Sequence, residues 1–160
     1  MRIISFDQAS ITAGWSLFDE NGYIDSGIIK KDKNIPINQR VPQMAEAICA
    51  KIKESKVDVV CIEGIQTQSN QRTVIDLARL QGGIMMYCEV KHIPIRILSP
   101  SEWRKILSFK LGSKVKRDEL KIQAQDYVLK HYGLSVNTDE AEAICINAAV
   151  QKTVNLDSDI

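Results

Sequence analysis

The sequence predicts an α/β protein on a mixed five-stranded sheet, three antiparallel strands followed by two parallel ones, flanked by helices. Three observations predict it. Two strand-like runs near the start are joined by Glu20-Asn21-Gly22, and Asn-Gly is a strong tight-turn signal. Dense β-branched runs at 57–62 and 93–98 alternate with longer stretches of helical period, the pattern of parallel strands with helical crossovers. The chain has 160 residues, which suits a single domain over 1–154 followed by a frayed acidic tail at 155–160.

Taken in order, Ile3 to Phe6 is an apolar strand that ends at Asp7, and Thr12–Asp19 and Tyr23–Lys30 follow it as a hairpin. A polar, proline-containing stretch from Lys31 to Pro42 leads to a helix near Gln43–Ser55, with Met44, Ala47, Ile48 and Ile52 at helical spacing. Val57–Ile62 reads as a buried parallel strand with Glu63 directly after it. A polar loop, Gly64 to Asn70, precedes a long helix at 71–91, whose Gly82-Gly83 pair weakens the helix and implies close packing there. Ile93–Leu98 is the fifth strand. Ser99-Pro100-Ser101-Glu102 then combines a cap, a proline at the first helical position and a glutamate at the third, so a helix begins there and fades near Phe109. A basic loop at 110–115 leads to a helix over 116–132 that Gly133 stops. The last helix, capped by Asn137 or Thr138, runs to about Val154. Right-handed crossovers put the fourth strand beside the first and the fifth beyond it, so Asp7 and Glu63 end neighbouring parallel strands at one edge of the sheet. Ligand sites of open α/β sheets lie at that edge.

Composition narrows the function classes. No apolar run reaches the ~20 residues of a membrane span. Met1 leads straight into a strand rather than a secretory signal, so a cytoplasmic location is expected. The cysteines Cys49, Cys61, Cys88 and Cys145 are scattered without a CxxC pair and read as reduced thiols rather than zinc ligands. His92 and His131 have no partner at ligand spacing. The net charge of +1 hides a local excess: Arg104, Lys105, Lys110, Lys114, Lys116, Arg117 and Lys121 stand against only Asp118 and Glu119 in that stretch. Such a run is either a solvated face or a surface for phosphates.

Four carboxylates carry the chemistry. Asp7 and Glu63 end strands, and Asp139 and Glu142, three apart on the last helix, share a face. Gathered together they repel one another unless cations neutralise them or their pKa values rise. Magnesium, a hard ion that takes oxygen ligands and keeps water for a phosphate substrate, is the natural partner. Two such ions about 4 Å apart activate a water and stabilise a leaving oxygen. Blander readings stand beside this one. Asp7 could be a turn former, and Asp139 and Glu140 suit the positive end of a helix dipole. Glu140 reads as a cap or solvated neighbour. Glu63 follows a run of apolar residues, where charge is costly unless it serves a site.

The segments Ile3-Ile4-Ser5-Phe6-Asp7 with Thr12-Ala13-Gly14-Trp15, Val59-Val60-Cys61-Ile62-Glu63, and Asp139-Glu140-Ala141-Glu142-Ala143-Ile144 together resemble the RuvC family of Holliday-junction resolvases, within the RNase H-like superfamily. The resemblance covers nearly the whole chain. It implies an RNase H-like fold and a homodimer that resolves Holliday junctions and other branched DNA by paired symmetric nicks. It implies two Mg2+ ions, replaceable by Mn2+, on Asp7, Glu63, Asp139 and Glu142. Lys116, after the glycine-containing loop Gly112-Ser113-Lys114-Val115, and Lys105 look similar to phosphate-contacting lysines of the family; Lys116 would serve catalysis, and Lys105, Lys110, Lys114, Lys116 and Arg117 would bind DNA. Ala9 replaces a glycine and Gln66 an aromatic of the bacterial enzymes, and Glu142 is longer than the usual last acid; these departures resemble the phage-encoded branch. Three other readings remain. The scaffold could act on RNA or RNA:DNA hybrids. The strand, Asp7 and hairpin also resemble the first phosphate loop of actin-like and sugar-kinase domains, although those need two lobes. A non-catalytic module for branched DNA is the third.

Overall fold

The computed structural model describes residues 1–66 and 70–157, with the side chains of 155–157 left aside. Five strands, β1 (Ile3–Asp7), β2 (Thr12–Asp19), β3 (Gly22–Lys30), β4 (Val59–Glu63) and β5 (Ile95–Leu98), form one sheet in the order β3-β2-β1-β4-β5. The first three pair antiparallel, and β4 and β5 pair parallel to β1 and to each other, as expected. The helices are α1 (Ile37–Ser55), α2 (Gln71–Val90), α3 (Pro100–Ile106), α4 (Arg117–Tyr132) and α5 (Thr138–Asp157).

Strand parity divides the molecule into two cores. Ile4 and Phe6 of β1 meet Met44, Ile48 and Ile52 of α1 and Leu80 and Ile84 of α2 on one face. Ile3 of β1, Phe18 of β2 and Cys61 of β4 meet α5, Trp103 of α3 and Val128 of α4 on the other. Successive strand residues point to opposite faces, so Ile3, Ser5 and Asp7 all look toward α5.

α5 is the central helix. Every residue from Ala141 to Val150 is buried, because the sheet covers one side and α3 and α4 the other. A helix buried all round carries no amphipathic stripe, and its depth is set by small residues at Ala141, Ala143, Ala148 and Ala149. Polar groups fix its register. The Ser5 and Ser16 hydroxyls lie 2.6 and 2.9 Å from the Ala143 carbonyl oxygen, and the Asn147 amide donates to the Ile3 and Ser16 carbonyls at 3.1 and 3.2 Å. Buried polar groups need partners to avoid a desolvation cost, so sliding α5 along the sheet would break all of these bonds together.

Several boundaries differ from the sequence reading. α1 begins at Ile37, six residues before Gln43, with Pro42 inside it. Proline there removes the bond to the carbonyl of Asn38, and Asn38 and Pro42 are exposed, so water can serve that carbonyl. β4 starts at Val59 rather than Val57 because α1 ends in a left-handed residue, Lys56 (φ 50°), and Asp58 is used to accept the Arg2 N–H at 2.7 Å. β5 starts at Ile95, two residues late, and α3 ends at Ile106. Lys116 is the cap of α4 rather than its first residue, and Gly133 ends α4 at φ 69°. Asn137 caps α5, its side-chain oxygen accepting the Glu140 N–H at 3.0 Å. α5 continues to Asp157, three residues beyond Val154, and the rest of the expected tail, 158–160, lies outside the described residues. So does 67–69 of the loop between Glu63 and α2. Of the glycine pair in α2, Gly83 packs near Ala45 of α1, where an added Cβ would find the Ala45 Cβ at 3.4 Å, while Gly82 faces open space.

Candidate active site

Asp7 and Glu63 lie side by side because Phe6 pairs with Ile62 in the parallel register, and parity turns both toward α5. Across the antiparallel pair, Asp7 stands opposite Gly14. The start of α5 passes directly over that glycine. A Cβ on Gly14 would collide with the Asp139 carbonyl and stand 2.8 Å from the Glu140 nitrogen, so no other residue allows the helix to come so close. That approach brings in the helical pair. One carboxylate oxygen each from Asp7, Asp139 and Glu142 lie within 4.8 Å of one another. Glu140 turns away, accepting from the Ser26 hydroxyl at 2.6 Å, which ties α5 to β3.

Glu63 borders the same cleft, held by neighbours on both sides. Its Oε1 accepts the indole N–H of Trp103 at 2.8 Å, and its main-chain carbonyl accepts the Gln8 amide at 3.1 Å. Gln8 in turn donates to Gln81 of α2 at 3.2 Å. Glu142, almost fully buried, accepts from the Arg104 guanidinium at 3.1 Å. Adjacent residues of the short helix α3 therefore hold carboxylates from two different elements. α3 is well fixed for this: Ser99 accepts the Glu102 N–H, Glu102 reaches back to the Ser99 N–H, and Pro100 occupies the first turn.

The electrostatics follow from this crowding. Burial first, then the charges of Glu63, Glu142 and Asp139, hold the Asp7 carboxyl well above its ordinary range. Burial raises Glu63 too, with Glu142 adding to the rise, while the Trp103 hydrogen bond, Arg104 and Arg117 pull the other way. The donors suit a hard divalent cation. They are carboxylate oxygens, and no cysteine or histidine is among the described residues lining the cleft.

The cleft has a volume of about 980 Å³ and runs along the carboxyl ends of β1 and β4. Arg104, Arg117 and Lys121 line one side, and Arg40 of α1 and Arg72 of α2 another. Of the five residues expected to bind DNA, only Arg117 lies in the lining; Lys105, Lys110, Lys114 and Lys116 are exposed and outside it, whereas Arg104 and Lys121 of the same basic stretch do line it. Helix geometry gives the reason at α3. Neighbouring helical residues point about 100° apart, and Arg104 faces Glu142, so Lys105 faces solvent. Sequence reasoning did not single out Trp103, Arg40, Arg72 or the role of Gly14, and it counted Arg104 in the basic stretch without giving it a part in the carboxylate site. The signal for Arg104 was its place beside Lys105 in the resembling segment; for Arg40 and Arg72 there was none, since both are helix-start residues far away in sequence.

The family described as crossover junction endodeoxyribonuclease RuvC matches residues 3–149. A crossover junction endodeoxyribonuclease RuvC from Fusobacterium nucleatum subsp. nucleatum is 27% identical over 155 residues, covering 91% of this chain and 78% of that one. Among solved structures, T. thermophilus RuvC in complex with a Holliday junction substrate shares the fold at a TM-score of 0.72 and 11% identity, over 93% of this chain and 91% of that one. Fowlpox virus resolvase with its Holliday junction DNA does so at 0.56 and 14% identity, over 94% and 98%.

Proposed function

The chain belongs to the RuvC family of crossover junction endodeoxyribonucleases, a metal-dependent family, and we propose that it resolves Holliday junctions and other branched DNA by symmetric hydrolysis of phosphodiesters. The observation that carries the reading is the convergence of the Asp7, Asp139 and Glu142 carboxylate oxygens within 4.8 Å at the end of a cleft also lined by arginines. Asp7, Glu63, Asp139 and Glu142 would hold two divalent ions, Mg2+ or Mn2+. Bound there, the ions would supply Lewis-acid activation of a water and stabilisation of the leaving oxygen.

The chain's own groups do the rest. Arg104, Arg117 and Lys121 on one side of the cleft and Arg40 and Arg72 on the other would grip the backbone on either side of the bond to be cut. Lys116, at the start of α4 beside Arg117, would offset charge developing on the phosphate, and Lys105, Lys110 and Lys114 would hold the flanking arms of the substrate. Asp139 and Glu142, on one helical face, are suited to orient the attacking water and take its proton. Release of the sugar O3′ leaves a 5′-phosphate and a 3′-hydroxyl.

A second copy of the chain would supply the symmetric nick. α2 exposes Ile75, Met86 and Val90 at 49, 71 and 62%, an apolar stripe at helical spacing with Gly82 open between them. A two-fold pair of such helices fits the pseudo-symmetry of a four-way junction. Among the described residues no helix is long and apolar enough to cross a membrane. We place the protein with its DNA in the cytoplasm of a bacterial cell, and Ala9 and Gln66, both in the cleft lining, favour a phage or prophage source.

Four-way junction, linear duplex and RNA:DNA hybrid, incubated in parallel with Mg2+, test the reading. Paired nicks at symmetric positions in the junction are expected. Cleavage of the hybrid alone would move the assignment to a ribonuclease, and no cleavage with retained ATP binding would move it to the kinase-like class.

A further inference from the structure

We infer that Trp103 is a positioning residue for the metal centre, its indole N–H pinning one oxygen of Glu63 so that the other is presented to the cleft. The inference rests on the reading of the carboxylate cluster as a metal site. Trp103 is fully buried, and its Nε1 lies 2.8 Å from Glu63 Oε1.

A buried indole N–H must find an acceptor, and a main-chain carbonyl would meet that need without bringing charge into the core. Here the acceptor is a carboxylate at the end of a central strand, in a place where burial works against its ionisation. The pairing is therefore costly as packing and useful as orientation. The indole suits the task chemically. It is a donor only, it does not titrate, and it leaves the lone pairs of Oε2 and the second pair on Oε1 unused.

The ring has little freedom. Phe109 meets it edge-on, with centroids 5.5 Å apart and planes at 77°, and the Arg104 guanidinium carbon lies 4.7 Å from its centre. The two partners are also tied through the backbone. The N–H of Gly64, next to Glu63, donates to the Leu98 carbonyl at 2.7 Å, and Leu98 immediately precedes the capping box of α3. A Cβ at Gly64 would come within 3.3 Å of Ile97 and 3.4 Å of that carbonyl, so the junction is already close-packed. Glu63 and Trp103 are thus fixed to one another by a short path of backbone. Outer hydrogen-bond partners of this type orient metal-binding side chains, and their removal typically costs 10–100-fold in metal affinity.

The test uses the full chain without DNA. The protein has two tryptophans, Trp15 and Trp103, so its 15N–1H spectrum holds two indole signals that Trp103→Phe assigns. On titration with Mg2+ the Trp103 signal should shift saturably and the Trp15 signal much less, and Glu63→Gln should abolish the shift. Trp103 is then replaced by β-(3-benzothienyl)alanine, which keeps the ring volume and puts sulfur in place of N–H. Mn2+ affinity measured by calorimetry should fall by about 10–100-fold. Junction cleavage by this variant should recover at raised metal concentration, which a purely structural defect would not allow. An indole signal unmoved by Mg2+, or a benzothienylalanine variant within twofold of wild-type Mn2+ affinity, overturns the inference. Wild-type protein that binds Mn2+ but cuts no junction would remove the resolvase reading and leave the role of Trp103 standing; wild-type protein that binds neither ion overturns both.

Discussion

Replacing Asp7 by Asn should destroy cleavage and, without metal, make the protein more stable. With oxygens as far apart as 4.8 Å, two like charges repel by about 3.5 kcal/mol at an effective dielectric constant of about 20. Three ionised carboxylates make three such pairs, a total near 10 kcal/mol, comparable to the whole stability of a typical domain. That repulsion favours a proton held in the metal-free cluster, and burial together with its charged neighbours holds the Asp7 carboxyl well above the usual carboxylate range. The sign follows from proton binding. A folded pKa above the unfolded value means the native state holds more protons, so its stability is full below the unfolded pKa of about 3.9 and falls as pH rises toward the folded pKa. Asparagine has the same shape, no charge, and an amide that can donate to Glu142. Melting of both proteins in chelator at pH 5, 6.5 and 8 should show the variant gaining with pH, by about 1–3 kcal/mol at pH 8, or roughly 3–8 °C at the few degrees per kcal/mol expected for this size. Mg2+ should raise the melting temperature of the wild type and leave the variant unmoved, narrowing or reversing the order. A variant less stable than wild type at pH 8 in chelator, or an advantage that ignores pH, would refute the reasoning.

Gly14→Ala should destabilise the protein by at least about 2–3 kcal/mol and weaken Mg2+ binding in any fraction that folds, because the new methyl meets main chain rather than a side chain that can swing away; thermal melts and metal titration check it. Met86→Glu should convert a dimer to a monomer in sedimentation while leaving the melting temperature within a few degrees, since Met86 is 71% exposed in the single chain. Arg117→Ala should weaken junction binding and flatten its dependence on log salt by about one unit of slope, as loss of one phosphate contact predicts, when binding is measured in Ca2+ over a range of salt.

The scaffold was legible because its signals are local and periodic. The Asn-Gly turn, the β-branched runs and the capping box each fix one element, and right-handed crossovers fix the strand order from them. Asp7 and Glu63 were legible for the same reason, since both are strand ends whose register follows from the crossover. The start of α1 was not, because Pro42 normally marks a helix boundary and is tolerated here only through exposure of the Asn38 carbonyl. The cation lining was harder still. Which of Arg104 and Lys105 faces the cleft depends on the rotation of a seven-residue helix, and that rotation is set by the burial of Trp103, a tertiary fact. Gly14 was visible only as one residue of a motif; its purpose appears when α5 is seen to cross it.

Charge balance in the cleft links binding to chemistry. Asp7, Glu63, Asp76, Asp139 and Glu142 line it together with Arg40, Arg72, Arg104, Arg117 and Lys121, so five acids meet five cations and the fully ionised cleft is neutral. Without metal, a proton held by Asp7 leaves the cleft with a single net positive charge, and one of its cations is engaged, Arg104 being bonded to Glu142. A cleft so close to neutral has little hold on a backbone that carries one negative charge per phosphate. Two divalent ions would add four positive charges at the floor, next to where the bond is cut. Metal and junction should therefore bind with positive coupling, and by linkage each must tighten the other by the same factor. Ca2+, which shares the carboxylate chemistry, should increase junction affinity over that in chelator, by an amount that Asp7→Asn reduces. Equal junction affinity in Ca2+ and chelator would mean that the exposed lysines outside the cleft supply the binding, with the carboxylate cluster taking no part in it.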